Sequence, residues 1–92
     1  VRTVLQRSKE CWVCGRTDQL HDHHIIYGTA NRKKSEKYGL KVWLCYEHHT
    51  GNNGVHFNKE LDLQLKRLAQ TYFEGHLGTR EDFRAEFGKS WL

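Results

Sequence analysis

Proline and methionine are absent from the 92 residues, and cysteine occurs only three times. No linker rich in proline, glycine or serine, no internal repeat and no low-complexity tract divides the chain, so a single domain is expected at this length. Three cysteines cannot all pair with one another, which argues against the disulfide framework of a small secreted protein. No stretch approaches the roughly 18–20 apolar residues of a membrane span, and no signal-peptide pattern opens the chain. A secreted disulfide miniprotein and a membrane protein are thereby excluded, and a reducing, cytoplasmic setting is expected. The missing initiator methionine suggests a trimmed start or an excised domain.

Apolar residues are also scarce, at 37% of the chain. A core of that size is marginal for a small domain, so a staple is expected. Charge is abundant and uneven. Residues 1–58 carry nine Lys or Arg against five acids, whereas residues 59–92 carry six of each sign. The whole surplus of +4 lies in the half that also holds every cysteine and six of the seven histidines. A basic surplus beside metal-type ligands points to a polyanion, most simply nucleic acid.

Local patterns set the order of elements. Residues 1–10 form a polar, basic lead-in. Cys11-Trp-Val-Cys14-Gly15 reads as a tight knuckle, with Gly15 supplying permissive backbone. Gln19–Tyr27 reads as a strand, Gly28–Gly39 as a polar basic loop, and Leu40–Cys45 as a second strand. Tyr46–His49 begins a short helical turn, broken by Thr50-Gly51-Asn52-Asn53-Gly54. Asn58 is a good N-cap for a helix with Leu61, Leu65, Leu68 and Tyr72 along its apolar stripe, widened by Ala69 and Phe73, ending near Gly75 or Gly78. Thr79 starts a second helix with Phe83, Phe87 and Trp91 on one edge.

Cys11-x2-Cys14 and Cys45-x2-His48 are two half-sites of like geometry. Folded together they would close a tetrahedral Cys3His zinc site, contributing on the order of 10 kcal/mol to folding. A redox C-x-x-C fits poorly, because no thioredoxin-like βαβ pattern surrounds it. The gap of about 30 residues between the half-sites is longer than in a zinc ribbon and must contain structure of its own. Within it stand His21, His23 and His24, and beyond the second half-site stand His49 and His56. Adjacent strand residues point to opposite faces, so His23 and His24 cannot share a role. One could bind a metal while the other accepts a proton, a division that suits phosphodiester hydrolysis.

The succession Cys11-x2-Cys14-Gly15, His23-His24-Ile25, Leu44-Cys45-x2-His48-His49 resembles the HNH endonuclease family, the ββα-metal fold in its zinc-stapled form. The tract from Tyr38-Gly39-Leu40 to His49, with Gly54-Val55-His56-Phe57-Asn58, is similar to small phage-type HNH proteins related to RecA-dependent nucleases. The resemblance covers residues 11–58 by motif. It implies an α+β fold in which a ββα-metal core with a structural Cys3His zinc site is followed by two C-terminal helices. The zinc-stapled core would span 11–58 and the helical extension, packed on that core, 59–92.

By position, the resemblance makes His23 the first ligand of a catalytic metal, His24 the general base and His49 a second ligand. His56 either completes that site or is a surface neighbour, and His21 is a neighbour or phosphate contact. The catalytic ion would be Mg2+ or Mn2+, with Zn2+ or Ni2+ as substitutes, and the products would carry 5′-phosphate and 3′-hydroxyl ends. Arg32, Lys33, Lys34 and Lys37 form the densest cationic run, a solvated loop or a set of DNA phosphate contacts beside the site. DNA is the expected substrate, a RecA-type filament a candidate partner, and a bacterial host cell the setting if the chain is phage-encoded. One position departs from the family: Leu40 stands where an Asn usually steadies the base, leaving Asn31 or a backbone carbonyl to replace it. That departure is what favours the alternative, a zinc-stabilised DNA-binding or protein-interaction module without catalysis.

Overall fold

The computed structural model describes residues 2–92. It is a small α+β fold with the order β1 (Leu20–His24), α1 (Thr29–Tyr38), β2 (Lys41–Cys45), α2 (Tyr46–His49), a 3-10 turn (Val55–Phe57), α3 (Lys59–His76) and α4 (Arg80–Phe87). The two strands pair antiparallel, with His23 opposite Val42 and His24 opposite Lys41. Val42 and Leu44 are completely buried, and they join Ile25, Ile26, Leu40, Leu65, Ala69, Phe73 and Phe83 in one core. Among the described residues, no helix is long and apolar enough to cross a membrane.

The first strand is shorter than Gln19–Tyr27. It stops at His24 because Ile25 and Ile26 turn inward: Ile25 N–H donates to the Leu40 carbonyl at 3.1 Å, and Ile26 N–H donates to Ser35 Oγ at 3.2 Å. The expected loop over Gly28–Gly39 is instead the ten-residue helix α1. Its helical signal is hidden because its grip on the core is polar and narrow. Ser35, its one buried residue, donates Oγ–H to the Ile26 carbonyl at 2.7 Å while accepting from the Ile26 amide. Tyr38 adds an edge-on contact with Phe73, ring centroids 5.6 Å apart. Gly39 closes the helix in the left-handed region at φ 70°, and a Cβ there would lie 2.6 Å from the Arg2 carbonyl oxygen. Only glycine meets both demands.

The C-terminal helices follow their sequence signals. Asn58 Oδ1 accepts from Leu61 N–H at 3.1 Å, capping α3, and Leu65, Ala69 and Phe73 are buried while Leu61, Leu68 and Tyr72 pack at the margin. The helix runs through Gly75 and ends before Gly78, whose N–H donates to the Phe73 carbonyl. Thr79 and Asp82 form a reciprocal capping box on α4, and Phe83 meets Phe73, Phe87 and Trp91. The lead-in is also structured: Val4 N–H donates to the Gly39 carbonyl, Thr3 Oγ1 bonds the Lys41 carbonyl, and Gln6 Oε1 accepts from Trp43 N–H.

Removing the Ser35 hydroxyl leaves the buried Ile26 amide without a partner. Ser35→Ala is therefore expected to cost about 1–3 kcal/mol in urea denaturation of the metal-replete protein. Lys33→Ala, on the exposed side of the same helix, should cost less than about 0.5 kcal/mol.

Candidate metal centres

The knuckle is built by its own backbone. Cys11 N–H donates to the Arg16 carbonyl at 2.8 Å, Gly15 N–H returns to the Cys11 carbonyl at 2.9 Å, and Gly15 adopts φ 78°. Trp12 N–H donates to the Trp43 carbonyl, which pins the knuckle against β2. Cys45 ends β2, and α2 then carries His48 back over it. Cys11, Cys14, Cys45 and His48 converge, each offering an atom within 4.8 Å of the others.

Cys14 Sγ lies 3.8 Å from Cys45 Sγ, and His48 Nδ1 lies 3.3 Å from Cys45 Sγ and 3.8 Å from Cys11 Sγ. Zinc–sulfur and zinc–nitrogen bonds of about 2.3 and 2.0–2.1 Å in a tetrahedron require edges of about 3.8 Å between sulfurs and about 3.6 Å between sulfur and nitrogen. The donor set therefore fits such an ion, and the three cysteines are free thiols. Burial alone would raise the Cys11 thiol, but backbone N–H groups of Cys45, Cys14 and Val13 outweigh it and bring the thiol down to about 6. The Arg16 N–H pulls Cys14 down, yet desolvation and the sulfurs of Cys11 and Cys45 push it up overall. A cation among these sulfurs removes that conflict.

A second group lies across α2. His23 comes from the inner face of β1, His49 from the end of α2 and His56 from the 3-10 turn. Their ring centroids are 5.3, 5.7 and 5.1 Å apart in the pairs His23–His49, His23–His56 and His49–His56, and their ligand atoms all lie within 4.8 Å of one another. His56, whose sequence context left two readings open, thus joins the other two. His23 is 3% exposed, and its Nε2 is the one buried side-chain nitrogen or oxygen among the described residues with no hydrogen-bond partner. A buried imidazole nitrogen without a partner is costly unless something absent from the protein atoms meets it.

Burial, then repulsion from His49 and His56, pushes His23 down to about 3. Burial, then His56 and His21, pushes His49 down to about 4. Both rings are therefore neutral near pH 7, with lone pairs available to a metal. His21 reaches the group only through His49, Nδ1 to Nδ1 at 2.8 Å, which fixes the His49 ring and leaves its Nε2 as the other nitrogen. His49 is half-buried and His56 exposed; with three protein donors against the four of the sulfur group, this group leaves coordination positions open.

His24 faces the other way, as the alternation along β1 requires. Its Nε2 lies 2.8 Å from Glu36 Oε1 on α1. Lys41 Nζ sits 2.9 Å from Asp22 Oδ2 and 3.0 Å from both Glu36 oxygens. Asp22, His24 and Glu36 also lie within metal-binding distance of one another, but the ammonium of buried Lys41 already bridges the two carboxylates. Leu40 is a core residue, and its carbonyl tethers Ile25, the residue after His24. A backbone carbonyl, together with Glu36, thus holds the segment where the sequence left Asn31 as the other option. Glu36 was not legible in advance, because its helix was read as a loop.

The four predicted DNA contacts separate. Arg32 and Lys33 line a cavity of about 690 Å3 together with His24, Gly28, Thr29 and Glu36. Lys34 turns away to the Glu86 carbonyl on α4, with the Glu86 carboxylate 3.9 Å off. Lys37 lies over the Tyr38 ring, 5.1 Å from its centroid. The structure therefore corrects the run from a loop to a helix, with Arg32 and Lys33 at the His24 cavity, Lys34 on Glu86 and Lys37 beside Tyr38.

No protein-family model, curated protein or solved structure matches this chain.

The two groups are expected to separate on metal analysis. Cys45→Ser should abolish tight metal retention after dialysis against a mild chelator and broaden or remove the thermal transition. His49→Ala should keep the tightly held ion and lose only the weaker second one, by at least about tenfold in affinity. Native mass spectrometry reads both.

Proposed function

We propose that the protein is a zinc-stapled endonuclease of the HNH, ββα-metal type that hydrolyses DNA phosphodiester bonds. The observation that carries this reading is the pairing of a closed sulfur-rich group with an open imidazole group whose most buried nitrogen, His23 Nε2, has no protein partner. Cys11, Cys14, Cys45 and His48 would hold a zinc ion in a structural role, since all four positions would be protein ligands. His23, His49 and His56 would hold a divalent ion, an all-imidazole set that suits Mn2+, Ni2+ or Zn2+ better than oxygen-preferring Mg2+. When bound, the ion supplies neutralising charge to the scissile phosphate and the leaving oxygen.

The remaining work falls to side chains. With Nε2–H donated to Glu36, His24 keeps the Nδ1 lone pair to take a proton from the attacking water. Glu36 holds that ring in place and is itself held by Lys41. Arg32 and Lys33, on the wall of the same cavity, bind flanking phosphate oxygens. β1 ends at His24, and hydrolysis would require a phosphodiester at that strand end to be reached both by the ion on the His23 group and by the His24 ring. The expected DNA contacts, Arg32 and Lys33, would meet phosphates rather than base edges, so weak sequence preference is expected.

Plasmid nicking with Mg2+ or Mn2+ tests the reading. The parent should nick, and His24→Ala should lose about 10^2–10^4-fold in rate while still binding DNA. Absent or equal cleavage in both would replace the enzyme with a DNA-binding module. Cleavage that appears only with a RecA-type filament would identify a nuclease dependent on its partner.

A further inference from the structure

The lead-in does more than precede the knuckle. It folds back over β2 and, with the outer face of the sheet, encloses a cavity of about 360 Å3 whose walls include Arg2, Arg7, Lys9, Lys41, Asp22 and Trp43. Four cations face one carboxylate there. Asp22 and Lys41 are bonded to each other, and among the described residues Arg2, Arg7 and Lys9 have no carboxylate partner. Arg2, Arg7 and Lys9 are exposed, and three cations without a carboxylate partner on the walls of one concavity give it a positive potential that favours an anion.

The ring of Trp43 narrows the class of anion. It is half-buried, and Lys9 Nζ lies over it at 4.6 Å from the centroid. A cation-lined pocket with an indole wall suits a nucleotide unit, whose phosphate and base it can meet together. Position narrows the class further. The cavity shares Asp22 and Lys41 with the network that holds Glu36 and His24, and those two residues line the second cavity with Arg32 and Lys33. Asp22 and His24 are two apart on β1, roughly 7 Å along the strand. The two carboxylates between the cavities are both engaged by Lys41, so they offer a passing phosphate less repulsion than free acids would.

We infer that the lead-in cavity is a second nucleic-acid site, which takes a flanking nucleotide of the strand whose phosphodiester lies at His24. The assignment rests on the nucleic-acid reading of the protein, and it does not depend on hydrolysis. Arg7 and Lys9 make the phosphate contacts and Trp43 walls the base. The strand then runs from the lead-in, past the Lys41 bridge, to Arg32 and Lys33.

The test is fluorescence anisotropy of a labelled 12-nucleotide single strand with the zinc-replete full chain, without added Mg2+ or Mn2+ so that nothing is cut. The double variant Arg7→Gln/Lys9→Gln should bind about tenfold more weakly at low salt. Its slope of log K against log salt should flatten by about 1.4, the value for two lost single-strand phosphate contacts. Trp43→Leu should weaken binding about fivefold or more without changing the slope. Melting curves matching the parent's show that the variants are folded, and a pair that melts early is replaced by Arg7→Lys/Lys9→Gln, which should lose half the slope change. Unchanged affinity and slope in folded variants would overturn the site. So would competition by polyglutamate equal to that of a DNA strand of the same charge, which would mark a site for acidic polypeptide. Loss of binding here, in a protein that never nicks DNA, would keep the site and reject only the hydrolytic reading.

Discussion

Two pairs of cysteine and histidine donors separated by some thirty residues meet within the edge length of a metal tetrahedron, and that meeting joins the knuckle to the sheet. The knuckle carrying Cys11 and Cys14 has no strand or helix of its own, and it is held to the sheet by the Trp12 amide on the Trp43 carbonyl and by its convergence on Cys45 and His48. Everything downstream inherits its position from that junction. Cys45 is the last residue of β2 and His48 lies in the first turn after it, so ligating the sulfur group also sets the direction of α2. His49, the next residue, is then carried toward His23. The two groups are therefore coupled by a single covalent step, and an error in the closed one would be transmitted to the open one.

The pleat of β1 divides the labour. His21 and His23 face α2, while Asp22 and His24 face Lys41 and α1. The inner side is dry enough to hold His23 and its neighbour His49 neutral through burial, which suits metal ligands. The outer side is an exchange of hydrogen bonds among Asp22, Lys41, Glu36 and His24, which holds the His24 ring in one orientation. Five residues of strand thus separate two chemistries that would interfere if they shared a face.

Much of this was legible in the sequence where a short-range rule applies. The spacing of the half-sites identified the sulfur group, and the alternation of His23 and His24 identified their divergence. The apolar stripe of α3 and the Thr79 cap of α4 marked helices whose packing is local and periodic. What could not be read was helix α1, because a helix anchored by one buried serine and one tyrosine leaves no apolar period to detect. With α1 went Glu36, whose bond to His24 spans two elements, and the separate fates of Lys34 and Lys37, which depend on what lies opposite them. The lead-in was read as a bare approach to the knuckle for the same reason, since its bonds to Gly39, Lys41 and Trp43 are all between segments distant in sequence.

The bond from Lys34 to the Glu86 carbonyl links the helical extension to the surroundings of His24. It ties α1 to α4, and α1 is the element from which Glu36 reaches His24. Phe83 and Phe87 anchor α4 in the core, and Tyr38 touches both Phe87 and Phe73. The extension is thus a brace rather than a passenger: loosening its aromatic root would let α1 rock, and Glu36 would lose its hold on the His24 ring while the cysteine and histidine clusters stayed in place.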